Sequence, residues 1–411
     1  MNESTVQLKE AKTLPQGWRW VRLGGVCGEA KTRDPRLSPD ASFRYIDISS
    51  IDAARKQIIG THTIIGKDAP SRARQVVKAN DVLVATTRPN LNAVTLVPAE
   101  LNDEICSTGF CVLRPDNEIE PIFLFYFVQT DDFVRFVSGE VRGMLYPAVT
   151  ESQVRAINVP LPPLPEQKRI AAKIQELMGE VERARAACEA RLEAARALPQ
   201  AYLRQVFESE EAKKWERRRL GELFDVQQGV AMSPERREGR TPHPFLRTLN
   251  VLWGHVDLSM LDKMDFTDEE VSKLSLKPGD LLVCEGGEVG RTAIWRGELD
   301  ACLYQNHIHR LRKINDTVVP ELYMYWMQVA FQVFKSYSGE ESATTIPNLS
   351  GNRLKSFMFP LPPAEEQKRI ASELKDQMAG VDKLKAGIEK QLDGIKALPQ
   401  AILRKAFRGE L

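Results

Sequence analysis

The chain has 411 residues, with 43% hydrophobic and 27% charged. At roughly 150 residues per domain that length predicts two or three domains, and the composition excludes collagen-like and disordered classes. With 57 Lys and Arg against 56 Asp and Glu, the formal charge is +1, so there is no global basic field and any nucleic-acid site must be local. No uncharged apolar run approaches the 18 residues of a membrane span, and the opening MNESTVQLKEAK lacks the apolar stretch of a signal peptide, so the expectation is a cytoplasmic protein without membrane contact. Six cysteines without a CxxC pair or a Cys/His ladder read as buried, reduced thiols.

In chain order, WRWVRLG (Trp18 to Gly24) comes first, followed by short β-rich runs VLVATT, AVTLV and FCVLR and by one aromatic helical stretch, IFLFYFVQ. Together they predict a compact α+β domain over residues 1–160. The proline-rich PLPPLPEQKRIA then opens a run of strong helix formers over 161–210. After it the series repeats. WERRRLG (Trp215 to Gly221), LLVCEG, TAIW, IHRLR and ELYMYWMQ predict a second α+β domain over 211–360, and PLPPAEEQKRIA opens a second helix over 361–411. The two proline-rich segments, 200 residues apart, agree at ten of twelve positions, and ALPQAYLR returns as ALPQAILR; NDVLV (Asn80 to Val84) is echoed by GDLLV (Gly279 to Val283).

Apolar residues in the helical segments recur at steps of three and four: Ile170, Ile174, Leu177, Val181, Ala184, Cys188, Leu192, Ala195 and Leu198, then Ile370, Leu374, Met378, Val381, Leu384, Ile388, Leu392, Ile395 and Leu398. A narrow seam with that spacing suits a helix packed along another helix, and each is the other's simplest partner. About 40 residues of helix span roughly 60 Å. Pro199 and Pro399 should each bend the helix, turning its last segment onto a globular domain, or end it before a short second helix.

No catalytic constellation is present in the sequence. There is no GxxxxGK[ST] phosphate loop, no methyltransferase [DNS]PP[YF] segment, and no nuclease-like spacing around the E-x-K triplets. Glu285 to Gly290 (EGGEVG) reads as a tight turn or recognition loop rather than a phosphate cradle. His307 and His309 alternate as if on one strand face, without further ligands for a metal.

A globular domain ending in PLPPLPEQKRIA, a long helix ending in ALPQAYLRQVF, and both repeated, resembles the specificity subunit of type I restriction-modification systems over essentially the whole chain. The resemblance implies two target recognition domains separated by two long antiparallel paired helices, a pseudo-twofold internal duplication, and one half of a split double-stranded DNA target read by each domain. It also implies a subunit with no catalysis of its own. Two methyltransferase subunits using S-adenosylmethionine would dock on it, and through them two restriction subunits using ATP and Mg. Rival readings are a stand-alone two-headed DNA-binding regulator, an enzyme with unfamiliar motifs, and a coiled-coil scaffold.

Candidate DNA contacts are basic and amide residues in turn-rich segments, because Arg and Asn suit guanine and adenine edges and most other basic contacts grip phosphate. In the first copy these are Lys31, Arg33, Arg36, Arg72, Arg74, Arg88, Asn90, Asn92, Arg142 and Tyr146. In the second they are Arg236, Arg237, Arg240, Glu288, Arg291, Ser342, Thr344 and Thr345. Thr86 to Asn92 and Glu285 to Arg291 follow the matching strands with different sequences, as two readers of different half-sites require. Glu166, Gln167, Lys168 and Arg169, with Glu366, Gln367, Lys368 and Arg369, are candidates for helix-start structure first and methyltransferase contact second.

Overall fold

The computed structural model describes residues 14–139, 148–237, 239, 242–335 and 349–411. The chain divides into two compact units: Met1–Glu189 with Lys390–Leu411, and Ala190–Glu389. The division falls inside each long helix, so each unit is a globular domain plus the first half of one helix and the second half of the other.

The first unit contains β1 (Arg19–Arg22), α1 (Leu23–Val26), β2 (Cys27–Gly28), β3 (Ser42–Ile46), β4 (Ile51–Asp52), β5 (Gln57–Ile58), β6 (His62–Ile65), β7 (Ala73–Val76), β8 (Val82–Ala85), β9 (Val94–Leu96), β10 (Ile105–Ser107), β11 (Phe110–Pro115), α2 (Pro121–Phe127), α3 (Asp131–Gly139), α4 (Glu151–Arg155), β12 (Asn158–Leu161) and the start of α5 (Leu164–Phe207). Its two larger sheets have the orders β6-β3-β10-β7 and β2-β11-β8-β9, and β1 pairs antiparallel with β12 just before α5. All four residues of β8 are buried because the strand lies between two cores. Val82 and Val84 face the aromatic helices α2 and α3, while Leu83 and Ala85 face Ile46, Phe110 and Val112. That is why VLVA reads as an unbroken apolar run rather than an alternating one.

The second unit contains β13 (Glu216–Arg219), α6 (Leu220–Leu223), β14 (Phe224–Gln228), α7 (Pro234–Arg237), β15 (Pro242–Leu246), β16 (Asp262–Asp265), α8 (Asp268–Leu274), β17 (Leu281–Cys284), β18 (Thr292–Ile294), β19 (Leu303–Tyr304), β20 (Ile308–Lys313), α9 (Pro320–Gln332), α10 (Gly351–Ser356), β21 (Met358–Leu361) and the start of α11 (Ala364–Ala406). Its sheets β14-β20-β17-β18, β16-β15-β19 and β13-β21 repeat the strand orders of the first unit. One difference falls at the edge of the β6-β3-β10-β7 sheet. Where the first unit has β7, the second has the helix α8, capped by Thr267 and carrying Asp268, Glu269 and Glu270 in its first turn.

Within each unit the helix halves complete the globular core. In the first, Leu403 and Ala406 of α11 are buried with Ile170 and Ile174 of α5, and Phe407 lies against Phe123 and Phe127 at ring separations of 4.9 and 5.5 Å. Cys188 lies near Gln391 and Arg169 reaches the Leu411 carbonyl, so these two halves run antiparallel. In the second unit, Leu203 and Phe207 of α5 are buried with Ile370 and Leu374 of α11, and Phe207 meets Trp326 at 5.3 Å.

The segments beyond Pro199 and Pro399 pack on globular cores as expected, and they do so as continuations of the same helices, so the alternative of an ended helix followed by a short second one is set aside. That burial compensates for the backbone bond each proline removes. The seam differs from the expected spacing in skipping Ala184, Leu384 and Leu398, which are exposed. Burial steps from Val181 to Cys188 and from Val381 to Ile388, with the half-buried stems of Arg185 and Lys385 between.

Candidate nucleic-acid interface

The same backbone frame carries one loop in each unit. In the first, β8 and β11 pair with Val84 opposite Cys111, and Thr86 N–H donates to the Gly109 carbonyl at 2.9 Å while its own carbonyl accepts from Val149 N–H at 2.8 Å. In the second, β17 and β20 pair with Val283 opposite His309. Glu285 N–H donates to the His307 carbonyl at 2.9 Å, and the Glu285 carbonyl accepts from Leu349 N–H at 3.0 Å. The strands close alike too, Ala85 N–H on the Ala93 carbonyl and Cys284 N–H on the Arg291 carbonyl, so the first loop is one residue longer.

A buried ion pair fixes the root of each frame. Asp81, buried immediately before the strand that leads to the first loop, accepts two hydrogen bonds from the Arg114 guanidinium at 2.9 and 2.7 Å and one from Lys78 N–H. Asp280 repeats this with Arg312 at 2.8 and 2.6 Å and with Lys277 N–H. Hydrogen bonding to the carboxylate raises the Arg114 and Arg312 pKa values above the ordinary guanidinium value. These four residues were absent from the sequence-based candidates, although Asp81 and Asp280 sit inside the NDVLV/GDLLV echo.

Several candidate contacts of the first unit come together. Thr32 bridges Gln75, Arg33 N–H donates to the Arg74 carbonyl, and Thr108 N–H donates to the Arg72 carbonyl. The segments with Lys31, Arg33, Arg72 and Arg74 therefore lie side by side, joined through residues 107–109 to the root of the Thr86–Asn92 loop. Lys31, Arg33, Arg72, Arg88 and Asn90 are exposed. Asn92 is half-buried and its carbonyl accepts from Lys56 Nζ at 2.6 Å; burial lowers the Lys56 pKa to about 8. Arg36 is spent on Asp34, whose carboxyl its hydrogen bonds hold at about 2, and Arg74 lies 3.3 Å from the same carboxylate.

The second unit uses its candidates differently. Arg236 makes a two-pronged pair with Glu270 of α8 at 2.9 and 2.8 Å, and Arg237 lies 3.6 Å from Asp262. Arg291 turns inward, donating to the Thr248 carbonyl and toward Glu288, so it braces the loop and offers little outward surface. Glu288 remains half-exposed and accepts from Trp253 Nε1 at 2.6 Å. Gly287 and Gly290 are in the left-handed region, and a β-carbon at Gly290 would lie 2.5 Å from the Phe331 ring, so the loop is a tight glycine turn. Arg142, Tyr146, Arg240, Ser342, Thr344 and Thr345 lie outside the described residues.

His307 and His309 do not share a strand face, because His307 lies in the turn before β20 and is exposed, whereas His309 is buried. His309 Nε2 contacts the Leu349 carbonyl at 2.9 Å, and its Nδ1 has no partner. The ring is thus neutral with its proton on Nε2, and burial holds its pKa below the ordinary 6.5. Among the described residues no His, Cys, Asp and Glu group could hold a metal ion. All six cysteines are buried and unpaired, and burial pushes the Cys27, Cys111 and Cys302 thiols up to about 12.

At the helix starts, Gln167 is fully buried. Its Nε2 donates to the Glu118 and Pro162 carbonyls at 2.8 and 2.9 Å, and its Oε1 accepts from Glu120 N–H at 2.8 Å. Gln367 repeats all three bonds with Thr317, Pro362 and Val319. With every polar group spent internally, these two glutamines anchor the helices and leave the list of partner contacts. Lys168, Arg169, Lys368 and Arg369 present polar groups at the surface; Glu166 and Glu366 are half-buried beside Arg169 and Arg369.

A frame built twice with two different loops defines a tandem recognition protein, and sequence comparison gives its family. The type I restriction modification DNA specificity domain matches residues 15–187 and 212–393, and the chain belongs to that family. It is similar to the specificity subunit of the type I restriction enzyme EcoKI of Escherichia coli K12, 26% identical over 98% of this chain and 90% of that one. The StySPI specificity subunit of Salmonella potsdam is 25% identical over 97% and 90%. Among solved structures, the HsdS subunit from Thermoanaerobacter tengcongensis is 34% identical, with a TM-score of 0.76 over 98% of this chain and 100% of that one. A chain from a study of complex assembly and conformational transition of the type I R-M system is 35% identical, with a TM-score of 0.79 over 97% and 100%. No helix among the described residues is long and apolar enough to cross a membrane.

Proposed function

We propose that this chain is the DNA specificity subunit of a type I restriction-modification complex, in which each unit reads one half of a split duplex target. The observation that carries this reading is the repeated frame with dissimilar loops: the bonds at Thr86, Gly109 and Val149 match those at Glu285, His307 and Leu349, yet one loop presents Arg88 and Asn90 and the other Glu288. Backbone hydrogen bonds do not depend on side-chain identity, so such a frame tolerates new loop chemistry and hence new base preferences.

In this reading α5 and α11 set the unspecified gap between half-sites. The exposed polar residues at the helix starts contribute to docking two methyltransferase subunits, and these recruit two restriction subunits. The chain is non-catalytic and binds no cofactor: S-adenosylmethionine belongs to the methyltransferase subunits, ATP and Mg to the restriction subunits.

The test is to co-express the chain with its methyltransferase subunit and map modified adenines by single-molecule sequencing. A motif of two defined halves with a constant gap, absent without this chain, is the expected result. Inserting about four residues, one helical turn, between Ile170 and Leu192 should lengthen the gap and leave both halves intact. A stable complex on DNA without any methylation would replace this reading with a stand-alone regulator.

A further inference from the structure

Leu91 is a large apolar side chain held out into solvent by a turn that is firmly built. Pro89 starts a 3₁₀ turn and is buried, Leu91 N–H donates to the Arg88 carbonyl, Asn92 N–H donates to the Pro89 carbonyl, and α3 packs against the turn. Arg88 and Asn92 at its two ends both lie in the left-handed region, with φ of 51° and 46°; asparagine takes this conformation readily, whereas for Arg88 it is uncommon and is held by the turn. Lys56, itself at φ 57°, clamps the far end through the Asn92 carbonyl. Yet 56% of Leu91 is exposed. Leu91 is thus held at the surface on a turn fixed by these bonds and by a half-buried lysine.

The surroundings identify what such a side chain meets. Beside it the tip carries Asn90 and Arg88, whose groups match base edges, and the backbone bonds through residues 107–109 lead to exposed Lys31, Arg33 and Arg72, which suit phosphates. An apolar protein partner would need an apolar neighbourhood, which the polar tip does not provide. On duplex DNA the apolar group offered by a base edge in the major groove is the thymine 5-methyl. Resting on the specificity reading above, we infer that Leu91 contacts a thymine methyl in the half-site read by the first unit and contributes to choosing that base. The matching loop of the second unit, Glu285 to Arg291, exposes no large apolar side chain: its Val289 is half-buried among core residues and its exposed tip is Gly287 and Glu288.

The experiment uses the full chain with its methyltransferase subunits and duplexes carrying the mapped target, each thymine replaced in turn by deoxyuridine, which removes only the methyl group. At one position in one half-site the replacement is expected to weaken binding roughly fourfold, the effect of exposing one methyl-sized group. In the Leu91→Ala variant that same replacement should have no effect, while the other half-site and the thermal stability stay unchanged. Independent, multiplying effects of the protein and DNA changes would overturn the contact, as would a target in which no thymine methyl matters. If no split target is found at all, the specificity reading itself fails; if one is found and Leu91 is uncoupled from it, this inference alone does.

Discussion

Two loops on one frame make the reversal after the buried strand by opposite means. The first forces Arg88 and Asn92 into left-handed backbone around a proline-started turn and clamps the result with Lys56. The second, one residue shorter, places its positive-φ positions at Gly287 and Gly290, where they carry little backbone cost, then uses Arg291 and Trp253 to hold Glu288 in place. Charge diverges in the same direction next door. The first unit has β7, carrying Arg74 and preceded by Arg72, where the second has α8 with its acidic first turn, and Arg236 there is neutralised by Glu270. The roots of the loops, by contrast, are bond-for-bond alike. The duplicated part of the molecule is therefore its backbone hydrogen-bonding pattern and buried pairs, and the part released to vary is whatever that pattern does not depend on.

The strongest way to break this comparison is at the buried carboxylates. Asp81→Ala and Asp280→Ala should each cost about 3 kcal/mol or more, since each strands a guanidinium and a backbone N–H that now share one buried acceptor. Urea unfolding of the two variants should give similar losses; a neutral outcome in one would show that the frames are not equivalent. Next in size, Gln167→Ala and Gln367→Ala each leave two carbonyls and one N–H without partners and should cost roughly 2 kcal/mol, read from the same denaturation curves. Unequal losses would mean that the two helix starts carry different loads.

A smaller effect separates the units by pH. His309 is buried neutral with its pKa lowered, so its contribution is present above the unfolded value of 6.5 and is lost as pH falls from there through the lower folded value. Protonation would place a charge on Nδ1 where no acceptor waits, while nearby Glu285 opposes and Lys355 reinforces the shift. At the matching position the first unit has Cys111, which stays a thiol throughout this range. Stability measured from pH 7.5 down should show an extra loss below about 6.5, and a His309→Asn variant should lack it. An unchanged acid profile in that variant would remove His309 as its source.

The duplication was legible in the sequence because it is carried by contiguous words. NDVLV and GDLLV contain both the buried strand and its aspartate, and the EQKRIA segments contain the glutamine that ties helix to domain. Other features were not. Arg236 reads as a free basic residue until Glu270, 34 positions later, is brought beside it, and Arg291 reads as outward until the fold carries the Thr248 carbonyl to it. A skipped seam position such as Ala184 is invisible to periodicity, because alanine fits either face. The prolines were legible only in part: that the segments beyond them reach a globular domain could be read, that the helices continue unbroken could not. Their local cost is readable, but the burial of Leu203, Phe207, Leu403 and Ala406 beyond them belongs to the tertiary structure.

The placement of Leu403, Ala406 and Phe407 in the core of the first unit reaches beyond packing, into the order in which the chain can mature. The second unit is one uninterrupted stretch, whereas the first is closed by segments from both sides of it. During synthesis the first unit therefore cannot be complete until the last stretch of α11 has been made, whereas the second unit has all its own residues before then.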